Sequence, residues 1–163
     1  MKQISKRILP SFIAILLISP ALKAQDDDAM ALLAAQASLI KAQKWIDFLK
    51  QNEIPVDHYV LSEFEMVKER RFITIMGGLD EAPIQAIITE LVGADEASSL
   101  AKKGAKKMLL KEDVWKPGQK ILIFVGSDAE AAAAIRTESR DEWMEYLDEW
   151  FDLGEGPGGL RAY

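Results

Sequence analysis

"RFITIMGGLDEAP" (Arg71 to Pro83) and "KILIFVGSDAEAA" (Lys120 to Ala132) decide the fold of this chain. Each is a strongly apolar run, interrupted in the first only by Thr74, that ends in glycine, meets acidic residues, and then enters a helix-forming stretch. Apolar residues at consecutive rather than alternate positions are what a strand buried on both faces requires. Glycine at the end of such a run lets the backbone turn or approach a neighbour closely. Two strand-to-helix corners of one design in one chain predict a parallel sheet.

The elements on either side agree. "VDHYVL" (Val56 to Leu61) alternates and predicts a short strand, and Ser62 with Glu65 three residues on has the spacing of a capping box opening a short helix. Glu81 to Val92 predicts a helix with Pro83 in its first turn and Gly93 as its stop. In "DEASSLAKKGAKKMLLKEDVW" (Asp95 to Trp115) the first half is helical, Gly104 interrupts it, and Met108 to Lys111 suits an edge strand. "KPGQ" (Lys116 to Gln119) is a turn, and Ile121 to Val125 is the most apolar run after the amino-terminal segment, suited to a central strand. Leu32, Leu39 and Ile46 at sevenfold spacing, with Trp45, Phe48 and Leu49 widening the stripe, predict one long helix from "QDDD" (Gln25 to Asp28) to near Asn52. Its aspartates would face the positive end of the helix dipole. At the other end Asp128 to Arg136 predicts an Ala-rich helix. Ser139 to Asp152 predicts another, with Trp143, Leu147, Trp150 and Phe151 on its inner face and Asp141, Glu142, Glu145, Asp148 and Asp152 in solvent. The expected fold class is therefore α/β: a small, mostly parallel sheet with helices on both faces, a long N-terminal helix and an aromatic C-terminal helix.

Sites in open parallel sheets lie beyond the carboxyl ends of strands, which makes Gly77, Gly78, Asp80, Gly126, Ser127 and Asp128 the candidate ligand-binding residues. Phosphate fits them poorly. A phosphate loop offers bare N–H groups at a helix start, and here Asp80, Glu81, Asp128 and Glu130 stand where the anion would be. Neither corner has the G-x-G-x-x-G spacing, and no GK[ST] occurs. Two readings remain open. The glycines and acids are corners and helix caps, or Asp80 and Asp128 form a carboxylate pair able to cut a glycosidic bond.

The order "FITIMGGLDEAP" followed by "WKPGQKILIFVGSDAEAAAAI" resembles the α/β segments of archaeal-type S-layer and related cell-surface proteins over about Phe72 to Ile135. There a strand ending in a double glycine is paired with a later one ending in Gly-x-Asp and an Ala-rich helix. The resemblance implies a noncatalytic envelope module and transfers no catalytic residue.

Composition narrows the classes further. Residues 1–24 carry Lys2, Lys6 and Arg7, an apolar run from Ile8 to Ile18 and "SPALKA", the layout of a secretory signal cleaved after Ala24. Residues 25–153 are then one α/β domain and residues 154–163 a Gly-rich tail. Removing the signal takes away four positive charges and no negative one, so the formal net charge moves from −6 to −10. An acidic protein of this kind repels nucleic acid and anionic lipid. The apolar run is too short for a membrane span, so none is expected after cleavage. Absence of cysteine removes thiol nucleophiles, Cys-based zinc sites and disulfides, and His58 as the only histidine rules out multi-His metal sites. No cofactor motif is present, and a calcium site would need residues drawn from distant segments. The expectation is a secreted, periplasmic or cell-surface module that binds or assembles with an envelope protein or glycan. The alternative is a small extracytoplasmic carbohydrate hydrolase or accessory domain.

Overall fold

The computed structural model describes residues 28–153, so the expected signal segment (residues 1–24) and the Gly-rich tail lie outside the described residues. In chain order the elements are β1 (Met30–Ala34), α1 (Gln36–Gln51), β2 (Val56–Tyr59), a 3-10 turn (Leu61–Glu63), α2 (Phe64–Val67), β3 (Phe72–Gly78), α3 (Ala82–Val92), α4 (Ala94–Leu100), β4 (Lys106–Glu112), β5 (Lys120–Gly126), α5 (Ala129–Glu138) and α6 (Arg140–Phe151). The strands form one five-stranded sheet in the order β2-β1-β3-β5-β4. Every pairing is parallel except that of β4 with β5. The chain is α/β with helices on both faces.

The pleat divides each central strand between two cores. Met30, Leu32, Phe72, Met76, Leu122 and Phe124 face Trp45, Phe48 and Leu49 of α1, Ala132 of α5 and Trp143, Leu147 and Trp150 of α6. Ala31, Leu33, Ile73, Ile75, Ile121, Ile123 and Val125 face Val67 of α2, Ile84, Ile87, Ile88 and Leu91 of α3, and Leu100 of α4. The crossover β1-α1-β2 moves toward one edge over the first face, and β2-α2-β3 returns over the second. A shared crossover hand requires that alternation. The aromatic stripe of α6 is core: Trp143 meets Trp45 edge-on at 5.9 Å, and Trp150 stacks on Phe72 at 5.4 Å.

Three expectations need correction. The long N-terminal helix is shorter than predicted, because Met30–Ala34 is the strand β1, lying between β2 and β3. "MALLA" is buried at every position, so it has no alternation to report, and Leu32 falls in helical register with Leu39 by coincidence. Asp28 therefore precedes a strand and caps no helix, while Asp26 and Asp27 lie outside the described residues. β5, by contrast, is the interior strand its apolar run predicts, paired with β3 and β4 and covered by helices on both faces. The turn after β2 is not capped by Ser62, because the Val60 N–H donates to Glu63 Oε2 at 3.0 Å.

At the amino edge of the sheet two buried polar side chains tie the strand starts together. Arg70, 1 % exposed, donates to Asp57 at 2.9 Å, to the Tyr59 hydroxyl at 2.6 Å and to the Ala29 carbonyl at 2.8 Å. Gln119 donates to the Lys68 and Arg70 carbonyls, each at 2.9 Å, and its Oε1 accepts the Trp115 N–H at 3.1 Å. Buried polar groups carry little cost when each has partners, and here they hold the β4–β5 loop against the start of β3.

Candidate functional site

The carboxyl ends of β3 and β5 lie side by side, with Gly77 opposite Val125 and Gly78 opposite Gly126. The two corners foreseen from sequence are therefore one place in the molecule. The Leu79 N–H donates to the Gly126 carbonyl at 2.9 Å and extends the ladder past the strand ends.

The glycines sit where the chain leaves no room for a side chain. A β-carbon on Gly126 would lie 2.5 Å from Ala131 Cβ and 2.6 Å from the Ala131 carbonyl carbon, inside the first turn of α5. One on Gly78 would lie 2.5 Å and 2.6 Å from the Asp128 carbonyl carbon and Cα, against Asp80 Oδ1 as well. One on Gly77 would lie 2.7 Å and 2.8 Å from the two γ-carbons of Ile84. None of the three has positive φ, so the requirement is space and not backbone handedness. Helix α5 seats directly on the end of β5, and α3 on the end of β3.

The polar residues of the corner serve the same seating. Asp128 is the N-cap of α5: its Oδ1 accepts the Ala131 N–H at 2.8 Å, and its Oδ2 accepts the Ser127 hydroxyl at 3.3 Å. That oxygen satisfies one of the orphan donors of the helix start. Ser127 Oγ accepts the Gly104 N–H at 3.0 Å, and the Ser127 N–H donates to the Ala105 carbonyl at 2.8 Å. These two bonds hold the α4–β4 loop over the corner. Asp80 is exposed, and Glu81 is the N-cap residue of α3 without a side-chain cap bond. The structure thus brings Asp80 and Asp128 together around Gly78, with Asp128 already engaged in capping.

Sequence reasoning missed where the crevice of this sheet lies. The chain leaves β1 for a helix on one face and β3 for a helix on the other, so the topological switch point is between β1 and β3. Ala34 and Ala35 line it with Gly77 and Gly78. Helix α1 starts there with neither a side-chain cap nor an acid in its first turn, and Ser38 in that turn is fully buried with its Oγ lacking a hydrogen-bond partner. Finding this from sequence required recognising β1, whose pattern was silent. Lys41 of α1 forms an ion pair with Glu130 of α5, and Arg136 donates to the Lys41 carbonyl at 3.1 Å, so the two helices are tied along this side.

His58 is exposed on β2, at the sheet edge remote from β5. Among the described residues no group of three or more His, Cys, Asp or Glu is placed to hold a metal ion, and no helix is long and apolar enough to cross a membrane. No protein-family model matches the chain, and neither curated proteins nor solved structures provide a match.

Proposed function

We propose that this chain is an exported, envelope-associated α/β module that works by binding or assembly rather than by catalysis, S-layer-like in the sense of its sequence resemblance. The observation that carries the reading is the filled corner. The space in front of Gly77, Gly78 and Gly126 is occupied by Ile84, by the Asp128 backbone with Asp80, and by Ala131 with Ala132. Gly77, Gly78, Gly126, Ser127 and Asp128 are then explained by helix seating, loop anchoring and capping, while Asp80 stays exposed beside them. The basic, apolar and small-residue layout of residues 1–24 and the acidic balance of the rest support an extracytoplasmic setting. Partners on this reading are an envelope protein or glycan.

One observation favours a second reading. Asp80 Oδ1 and the Asp128 backbone both lie against Gly78, so the two acids are neighbours in the fold, and a pair of carboxyl groups about 5 to 9.5 Å apart is what glycoside hydrolysis uses. A small carbohydrate hydrolase or accessory domain would employ Asp80, which is exposed, with Asp128 released from its capping bond.

Cosedimentation of the purified protein with cell-wall glycan and with envelope extract, alongside assays for release of reducing sugar, separates the two. Binding without turnover is expected. Turnover abolished by both Asp80→Asn and Asp128→Asn would replace the first reading by the second.

A further inference from the structure

The outer edge of β4 is one of the two open edges of the sheet, and the longer of the two. β4 ends the sheet, and its register with β5 runs unbroken from Lys106 to Glu112, with no proline and no bulge. In an antiparallel ladder alternate residues bond to one neighbour. The Ser127 N–H bonds to the Ala105 carbonyl and the Asp113 N–H to the Gln119 carbonyl, so the odd-numbered residues of β4 bond inward to β5. The N–H and C=O groups of Lys106, Met108, Leu110 and Glu112 consequently point outward. Such a row is a template for another strand. Met108, Leu109 and Leu110 are each only half-buried, which leaves apolar surface along the same edge.

We propose that this edge pairs with the same edge of a second copy of the chain across a twofold axis at Leu109, joining two five-stranded sheets into one. The sequence of the strand selects that occupant and register. With the axis at Leu109, Lys106 falls opposite Glu112 of the second copy, Met108 opposite Leu110, and Leu109 opposite its own equivalent. Moving the axis to Met108 sets Lys106 against Leu110 and Lys107 against Leu109. Moving it to Leu110 sets Glu112 against Met108 and Lys111 against Leu109. Only the central register matches charge with charge and apolar with apolar. Lys106 already pairs with Glu138, and Glu112 with Lys120 at 3.2 Å, so the new contacts extend existing ion pairs across the axis. Lys107 falls opposite Lys111, and Glu96, 2.7 Å from Lys107, offsets that repulsion.

This inference gives a partner to the assembly half of the reading above. Its failure would leave envelope binding untouched, because the cosedimentation assay does not depend on the β4 edge. The test uses protein purified from the full reading frame, with urea midpoints showing that each variant folds. Sedimentation equilibrium is expected to show monomer and dimer in exchange. Lys106→Glu or Glu112→Lys alone sets like charges face to face at two symmetric places and is expected to weaken the dimer about tenfold. The double variant is expected to restore it, although both pairs within the chain remain reversed. Leu109→Cys supplies the sole thiol of a cysteine-free chain on the axis, at a non-hydrogen-bonded pair where Cα atoms stand about 4.5 Å apart, within disulfide reach. It is expected to oxidise to a covalent dimer much faster than Ile40→Cys on the exposed side of α1, where Ile40 is 67 % exposed. A monomer at every concentration, equal cross-linking rates for the two cysteine variants, or a double charge reversal that does not recover association would each overturn the proposal.

Discussion

Replacing Gly126 by alanine tests whether the corner is architecture. The added methyl carbon would stand 2.5 Å from Ala131 Cβ and 2.6 Å from the Ala131 carbonyl carbon. Carbon atoms prefer about 3.5 to 4.0 Å, so α5 must retreat from the sheet by roughly 1 Å. The obstacle is the first turn of a helix whose N-cap and next turn are hydrogen-bonded, not the free end of a side chain, which puts the cost near the upper part of the usual overpacking range, about 3 kcal/mol. Alanine also restricts the unfolded chain and returns about 0.4 to 1 kcal/mol. The net loss is then about 2 kcal/mol, a large share of the roughly 5 to 15 kcal/mol that holds a domain folded. With a urea slope of about 2 kcal/mol per molar, the midpoint should fall by about 1 M at constant slope. An unchanged or raised midpoint would refute the seating argument and return Gly126, Ser127 and Asp128 to consideration as a ligand site. Gly77→Ala supplies an internal check, because its obstacle is the Ile84 side chain alone. In an Ile84→Ala background the same substitution should cost at least about 1 kcal/mol less, and simple additivity of the two would show that they do not meet.

Other expectations follow from single contacts. Asp128→Ala should lower stability by about 1 kcal/mol and Asp128→Asn by much less, since either oxygen-bearing side chain can accept the Ala131 N–H; equal losses in urea melts would argue against the cap. Gln119→Leu leaves the Trp115 N–H and the Lys68 and Arg70 carbonyls without that partner and should cost about 3 kcal/mol, with hydrogen exchange accelerated first in the β4–β5 loop; protection unchanged there would contradict its role as a tie. Glu149, aided by Glu112, raises the Lys120 pKa above its ordinary value against a smaller opposing effect of burial. A raised folded-state pKa gives stability that is complete below the unfolded value and is lost as pH climbs through the folded one, so the decline belongs above about pH 10. Lys120→Met should flatten that alkaline decline and leave the slope between pH 6 and 8 as it was; an identical alkaline limb in the variant would remove the pair from the account.

Much of the architecture is local and therefore legible in the chain. The double-sided strands β3 and β5, the Pro83 start and Gly93 stop of α3, and the aromatic face of α6 announce themselves through periodicity and backbone preference, properties of a few consecutive residues. So do the exclusions that follow from one histidine and no cysteine, because chemistry that lacks its residue types needs no geometry to be ruled out. The strand β1 was not legible, since five apolar residues buried on both faces fit a helix or a strand equally well, and only their place between β2 and β3 decides it. The same applies to Arg70 and to Gln119, which reach the Tyr59 hydroxyl 11 residues away and the Lys68 carbonyl 51 residues away, and to the meeting of Gly78 with Asp128. That meeting turns two plausible ligand loops into one packed seam. Whether a glycine leaves space for a ligand or for the chain itself depends on which helix comes to rest against it, and the tertiary structure alone sets that.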